Sequence, residues 1–406
     1  MTSSGSKIMR LAPFVVALTA ALAAPMLSAE NAPADVSHER EGVTDKEINL
    51  GSCLPFTGSL KERADQVNVG ATTYFDYINS EGGINGRKIK FHSCDDGFDP
   101  NKAIPCFNSC VKDNVFAGFL FLGSAPIVKY VRMGESQKMP LLGFCTGTPA
   151  VYDFHPTEFT IRPSYNDEVS AMVDRLCKIR KLTKIAVIYQ NDAFGAAIRE
   201  GATKKLAEYH LTPIVEASYP RTSNEINEAF ERVHQANPEA VVLGATSDRL
   251  MEAIKRKKRE NWQTIFLAFS VGVDYLSQGG KEADGTIVAQ TWPLLEEKQP
   301  TIALYNKLRK KFTPNAKANE SALEGMINAM YCCEALKRAG KDLTRSKFIA
   351  ALESMKGYDL GLGPGYKLDF SKTNHNGLSP KAVYFTILEN GQFIRMTDAD
   401  WKKLKV

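Results

Sequence analysis

From Glu47 onward, short apolar runs alternate with helical stretches of about ten residues or more, and that rhythm admits few folds. Strands spaced this way pair in parallel, because each crossover helix returns the chain to the end of the sheet where the next strand starts. "EINLGSCLPF" leads to a helical stretch over residues 63–79, a turn at "EGGINGRK" and the strand "KIKFHSC". After a further helical segment come "VFAGFLFLG", a helix over residues 127–137 and "MPLLGFC". The series restarts past Ser164: helices over 168–180, 195–209, 223–236 and 248–260 precede "KIAVIY", "TPIVEAS", "AVVLGAT" and "TIFLAFS", and "GTIVAQT" closes it. The fold class is therefore α/β, with two Rossmann-like lobes built on parallel central sheets.

The last third changes in kind. Helical patterns over 299–312, 318–339 and 344–355 carry no sheet of their own, so they should cover the first lobe. The hairpin "AVYFTILENGQFI", with its Asn390-Gly391 turn signal, should join the second. This division gives residues 45–164 plus 292–365 to lobe 1 and 165–291 plus 366–400 to lobe 2. The chain then crosses between lobes three times, first near residues 162–166.

Residues 1–29 stand apart. Lys7 and Arg10 precede an apolar run from Leu11 to Ala24 and then Leu27-Ser28-Ala29, the pattern of a secretory signal peptide cleaved near Ala29. The run is too short to span a membrane securely, and no stable membrane insertion is expected. Without Lys7 and Arg10 the formal charge falls from +5 to +3, too near neutral to argue for nucleic acid. The run Lys255 to Arg259 reads as a solvated helix end or a basic docking patch. Eight cysteines in an oxidising compartment make disulfides plausible. Cys53 and Cys94, at the ends of neighbouring strands, are the expected pair; Cys106 and Cys110 could sit a helical turn apart as free thiols.

No catalytic motif assembles. The six histidines show no paired metal spacing, and CxxC, GxSxG, GxxxxGK and a GxGxxG after a strand are all missing. Asp95, Asp96 and Asp99 in "SCDDGFDP" could hold a cation or act as paired carboxylates, or form a loop in which Asp99 caps the helix after Pro100. No enzyme activity and no cofactor are expected.

The blocks "EINLGSCLPFTGSL", "YINSEGGINGRKIKFHSCDDGFDP", "MPLLGFCTGTPA", "FTIRPSYNDE" and "KIAVIYQNDAFG" occur in an order and spacing that resemble the type I periplasmic binding proteins of the leucine/isoleucine/valine-binding family, solute receptors for ABC importers. The resemblance covers about residues 45–395. It implies two lobes closing over a small-molecule solute (amino acid-like, carboxylate or amide), an exported monomer in the periplasm and an ABC importer permease as partner. An exported ligand sensor of the same fold, signalling to a membrane partner, is the alternative.

The resemblance also implies a site. Asp192 and Phe194, where a strand ends in "QNDAFG", would wall the cleft from the second lobe, although a plain turn has the same local pattern. Across the cleft, Ser124, Cys145, Thr146 and Thr148 match the groups that hold an amino acid's carboxylate, and helix capping would use the same residue types. Tyr165 at the first crossover and Trp292 after the last second-lobe strand are further wall candidates, with Thr57 and Tyr275. Arg63 reads as an exposed helix-start residue, or as an anion handle if it turns inward. Where amino-acid receptors of the family place an acid and a tyrosine, this chain has Ser270 and Thr246. An ammonium buried there without a carboxylate would cost several kcal/mol on the usual desolvation scale, about 3–5. The departure points to neutral or anionic solutes unless Asp192, Asp248 or Asp274 substitutes.

Overall fold

A computed structural model describes residues 36–112, 114–135, 138–222 and 225–404; the leader expected over residues 1–29 lies outside them. From Ser37 onward the described residues form one compact unit holding two large sheets and a two-stranded ribbon. Strands β1 (Glu47–Leu54), β2 (Lys88–Asp95), β3 (Ala117–Leu122), β4 (Leu141–Cys145) and β5 (Glu158–Phe159) make a parallel sheet in the order β2-β1-β3-β4-β5. Strands β6 (Ile185–Asn191), β7 (Val215–Pro220), β8 (Ala240–Gly244), β9 (Ile265–Ala268) and β10 (Ile287–Gln290) repeat that order as β7-β6-β8-β9-β10. Strands β11 (Lys356–Asp359) and β12 (Lys367–Asp369) form a separate two-stranded ribbon. The hairpin of β13 (Tyr384–Glu389) and β14 (Gln392–Arg395) then adds antiparallel to β10. Its turn is Asn390-Gly391, both with positive φ (53° and 74°), as a two-residue hairpin of the right twist requires.

Helix α1 (Val36–Glu39) precedes the first sheet, and α2 (Lys61–Ser80), α3 (Pro100–Phe107) and α4 (Ser124–Tyr130) connect its strands. Helix α5 (Tyr165–Asp174) opens the second half on a capping box formed by Ser164 and Asp167. The second sheet is linked through α6 (Ala193–Ala207), α7 (Asn227–Gln235), α8 (Ser247–Arg259) and α9 (Val273–Gly279). Strands β3, β4, β8, β9 and β10 are buried at every position, as parallel strands covered on both faces must be. The edge strand β2 instead exposes Lys88 and Lys90.

The later helices α10 (Pro300–Phe312), α11 (Glu320–Ala339) and α12 (Arg345–Glu353) share one apolar core with the first sheet and α2. Two glycines set the α2–α11 approach: a Cβ on Gly70 would lie 1.8 Å from the Ala322 carbonyl oxygen, and one on Gly325 would lie 1.9 Å from that of Val67. Tyr366, Leu368, Phe370, Leu378 and Ala382 pack in this first core too, although the sequence pattern assigned residues from 366 to the second lobe. Helix α13 (Asp398–Lys403) packs on the second core through Trp401.

The cysteines correct the expected pairing. Cys94 is bonded to Cys110, which stands on the π-helical turn Asn108–Lys112 after α3. Cys53 and Cys94 are register partners on adjacent parallel strands. Such neighbours sit about 4.8 Å apart with parallel Cβ directions, whereas a disulfide needs Cβ atoms about 3.8 Å apart. Cys110 approaches β2 from a helical turn instead, at a Cα separation of 5.9 Å. Cys53 and Cys106 remain free and buried.

Candidate functional site

Both parallel sheets present their strand carboxyl ends to a common crevice, the position in which open α/β sheets bind ligands. A narrow cavity lies there. The first half contributes Leu60, Arg63 and Phe98 beyond β1 and β2, Leu122 to Ser124 at the end of β3, and Cys145 at the end of β4. From the other side come Tyr165 of α5, Gln190 of β6, Phe194 of α6, Thr246 after β8 and Val271 after β9.

The polar part of the wall is a short hydroxyl chain. Ser124 Oγ and Thr146 Oγ1 are 2.9 Å apart, and Thr146 Oγ1 donates to Tyr165 Oη at 3.4 Å and accepts from the Thr148 amide at 3.3 Å. Thr146 is fully buried behind Ser124, so it supports the wall from behind, and Thr148 stands one step further back. Asp192 also stands off the cavity. Its carboxylate accepts from the Phe194 and Gly195 amides at 3.0 and 3.2 Å and from Gln190 Nε2 at 2.6 Å, which makes it the N-cap that aims Phe194 inward. Burial raises its pKa against these hydrogen bonds.

Aromatic rings close the cavity. Tyr165 meets Phe194 edge to face at 5.0 Å, with Phe269 behind both. Phe98 holds a left-handed φ of 57°, fixed by its amide donating to Asp96 Oδ1 at 2.8 Å. Gly123 leaves room for that ring: its φ is 97°, and a Cβ there would come within 2.8 Å of Phe98. Arg221, beyond β7, donates to the Phe98 carbonyl and lies 5.3 Å from the ring centroid, so it spans the crevice.

Deeper in the crevice lies a buried charge network. Arg63 is only 2% exposed, which overturns its reading as a solvent-facing helix-start residue. Its guanidinium donates to Glu324 of α11 at 2.5 Å, to Ser321 at 2.7 Å and to Asp274 of α9 at 3.5 Å. Arg162 donates to Ser270 Oγ at 2.6 Å, Glu168 at 3.0 Å and Glu324 at 3.4 Å. Burial disfavours both cations, but the surrounding carboxylates win, and both pKa values are raised. Glu168 in turn accepts from the Ser270 amide at 2.9 Å; burial raises its pKa despite Arg162. A second, smaller cavity opens on this network, lined by Arg63, Ser270, Trp292, Glu320 and Glu324 among others.

A family model described as "Periplasmic binding protein" matches residues 47–392. The chain belongs to the type I periplasmic binding proteins of the Leu/Ile/Val-binding family. An amino acid binding protein of Pseudomonas aeruginosa is 21% identical over 55% of this chain, and the chain covers 60% of that relative's length. The Leu/Ile/Val-binding protein homolog 7 of Brucella suis is 22% identical over 81% of this chain and 86% of its own. Among solved structures, a possible leucine/isoleucine/valine-binding protein from Rhodopirellula baltica superposes with a TM-score of 0.82 at 22% identity, covering 89% of this chain and 98% of that one.

In this periplasmic binding protein the structure brings Ser124, Cys145, Tyr165, Phe194 and Thr246 to the first cavity and Ser270 and Trp292 to the second. Thr146, Thr148 and Asp192 stand behind them. The resemblance puts the strand end from Gln190 to Phe194 at the wall, and Gln190 lines the first cavity; sequence reasoning missed Leu60, Phe98, Val271, Glu320 and Glu324 as wall residues. Glu324 sits inside an ordinary helical pattern, and nothing local marks it. Phe98 does carry a local signal, since it lies in the "DDGFDP" turn whose acids set its backbone.

Proposed function

We propose that this periplasmic binding protein captures a small solute with an apolar body and one carboxylate, and delivers it to the permease of an ABC importer. The observation that carries the reading is the first cavity, where leucine, valine and phenylalanine side chains surround the Ser124 hydroxyl backed by Thr146 at 2.9 Å. Apolar walls with one or two fixed hydroxyls suit an apolar body with an anionic head, because a charge-assisted hydrogen bond is strong in a dry site. An α-ammonium is disfavoured. Ser270 stands where amino-acid receptors of the family carry an acid, and Glu168 beside it already accepts from Arg162 and Ser270. Asp192 is committed to its helix cap, and Asp274 to Asn319, Ser321 and Arg63.

In this reading the chain is exported, loses its leader near Ala29 and works as a monomer. Its first lobe is residues 45–164 plus 292–382, because Tyr366 to Ala382 pack in the first core, and its second is residues 165–291 plus 383–400. They close on the solute by a hinge motion. The test is thermal unfolding of the purified protein with benzoate, hexanoate, the deaminated analogue of leucine, leucine, valine and simple amides. A ligand at about a thousand times its dissociation constant stabilises by roughly 4 kcal/mol, a shift of several degrees. Carboxylates without an ammonium should raise the transition; a shift with leucine or valine alone would overturn the assignment of the head group.

A further inference from the structure

Arg63 lines both cavities, so the polar one adjoins the apolar one across its side chain. Two donors on the polar cavity's wall meet no acceptor among the described residues: Arg63 Nε and the indole Nε1 of Trp292, on side chains 2% and 6% exposed. Buried donors are almost always paired, by protein, water or ligand. On the same wall stand the carboxyl groups of Glu320 and Glu324, and Glu324 already accepts from both Arg63 and Arg162.

Each class of guest meets this wall differently. An alkyl group would leave both donors unpaired. A carboxylate would face Glu320 and Glu324, and an ammonium would face Arg63 while the indole N–H stayed unsatisfied. A hydroxyl or carboxamide accepts from the free donors and donates to a carboxyl oxygen, so it alone matches the set.

We propose that the second cavity is a polar subsite for an uncharged hydroxyl or carboxamide borne by the same solute whose apolar body fills the first cavity. The inference rests on the proposed carboxylate solute and adds the chemistry at that solute's other end. Glu320 fits the role: burial pushes its carboxyl up to about 7, so near neutrality it can donate as well as accept. Trp292 supplies selectivity through its N–H, while its ring stacks on Tyr366 at 6.1 Å and fixes the orientation.

The test compares hexanoate with its terminally hydroxylated, amidated, carboxylated and aminated forms, and benzoate with its hydroxy and carbamoyl forms, by titration calorimetry on the purified protein. The hydroxyl or carboxamide form of at least one parent should bind about tenfold tighter than that parent, with the charged forms weaker. In Trp292→Phe, which keeps a ring and removes the donor, that ratio should fall to near one. Parents that bind as tightly as their polar forms, as a cavity holding only a trapped water would give, overturn the subsite and leave the carboxylate reading standing. A ratio unchanged in Trp292→Phe also overturns it. Failure of every acid to bind, parents included, overturns both. The ratio on the unaltered protein decides the matter even if the variant does not fold.

Discussion

Asp96 is buried just after β2, where one carboxylate oxygen accepts from the Phe98 amide at 2.8 Å and the other has no partner among the described residues. Burial pushes its carboxyl up to about 7, reinforced by Asp95 and Asp99 and opposed by the Phe98 hydrogen bond. Between the ordinary carboxylate value of about 3.9 and about 7 the folded state therefore binds more protons than the unfolded one. Stability from this group falls as pH rises through that window and is level above it. Asp96→Asn keeps the acceptor for Phe98 and cannot ionise. It should unfold at a higher temperature than the parent at about pH 8, with the advantage shrinking towards about pH 4, as thermal scans across pH would show. Equal slopes in the two proteins would mean that Asp96 ionises alike folded and unfolded. At the same scale, Ser124→Ala removes the hydroxyl that faces the first cavity. Solute affinity should fall roughly ten- to hundredfold by calorimetry, with the unfolding temperature little changed.

Two elements of the first half are held by features outside their own periodicity. The Cys94–Cys110 bond ties β2 to the π-helical turn after α3 across a separation of 16 residues. Closing a loop of that size restricts the unfolded chain by about 3 kcal/mol in the chain-entropy account. Cys110→Ser should lose about that much stability in denaturant titrations, whereas Cys53→Ser should leave the disulfide intact in the intact mass of the alkylated, unreduced protein. The start of α4 depends on Gly123. Gly123→Ala places a methyl group against the Phe98 ring in a backbone region that L-residues avoid, at a cost of about 1–2 kcal/mol before any clash. It should lower the unfolding temperature and also weaken solute binding, because Phe98 lines the cavity. Unaltered affinity in a folded variant would show that the wall tolerates the shift.

Across the whole molecule, polar side-chain contacts join the two halves. Asp274 of α9 holds Arg63, Asn319 and Ser321; Tyr275 Oη donates to the Ser59 carbonyl at 2.9 Å; Arg221 reaches Phe98. Removing one member of a buried charge set leaves its partner unpaired, at about 3–5 kcal/mol. Asp274→Ala should therefore favour an open arrangement of the ligand-free protein, seen as a larger radius of gyration in solution scattering. Under the proposed hinge closure its solute affinity should fall as well, because binding would then have to restore the closed arrangement. An unchanged scattering profile would show that other contacts decide the balance.

The sequence by itself determined the main strand and helix series, though not β5, the β11–β12 ribbon or α13, and the hairpin turn at Asn390-Gly391, and it offered the cap of Asp99 on α3 as one reading of its turn. These follow from local periods and turn chemistry, which act over a few residues. The family resemblance also brought Ser124 and Phe194 into view, in blocks that fall where apolar runs stop, and Tyr165 at the first crossover. Only the tertiary structure decided the partner of Cys94, the inward turn of Arg63 and the assembly of Glu168, Asp274 and Glu324 around two arginines. Arg63 and Glu324 lie 261 residues apart, on helices whose own patterns are ordinary. A charge on such a helix faces water or a partner according to what packs against it, and that is settled by the crossing of α2 with α11, where Gly70 and Gly325 let the backbones meet.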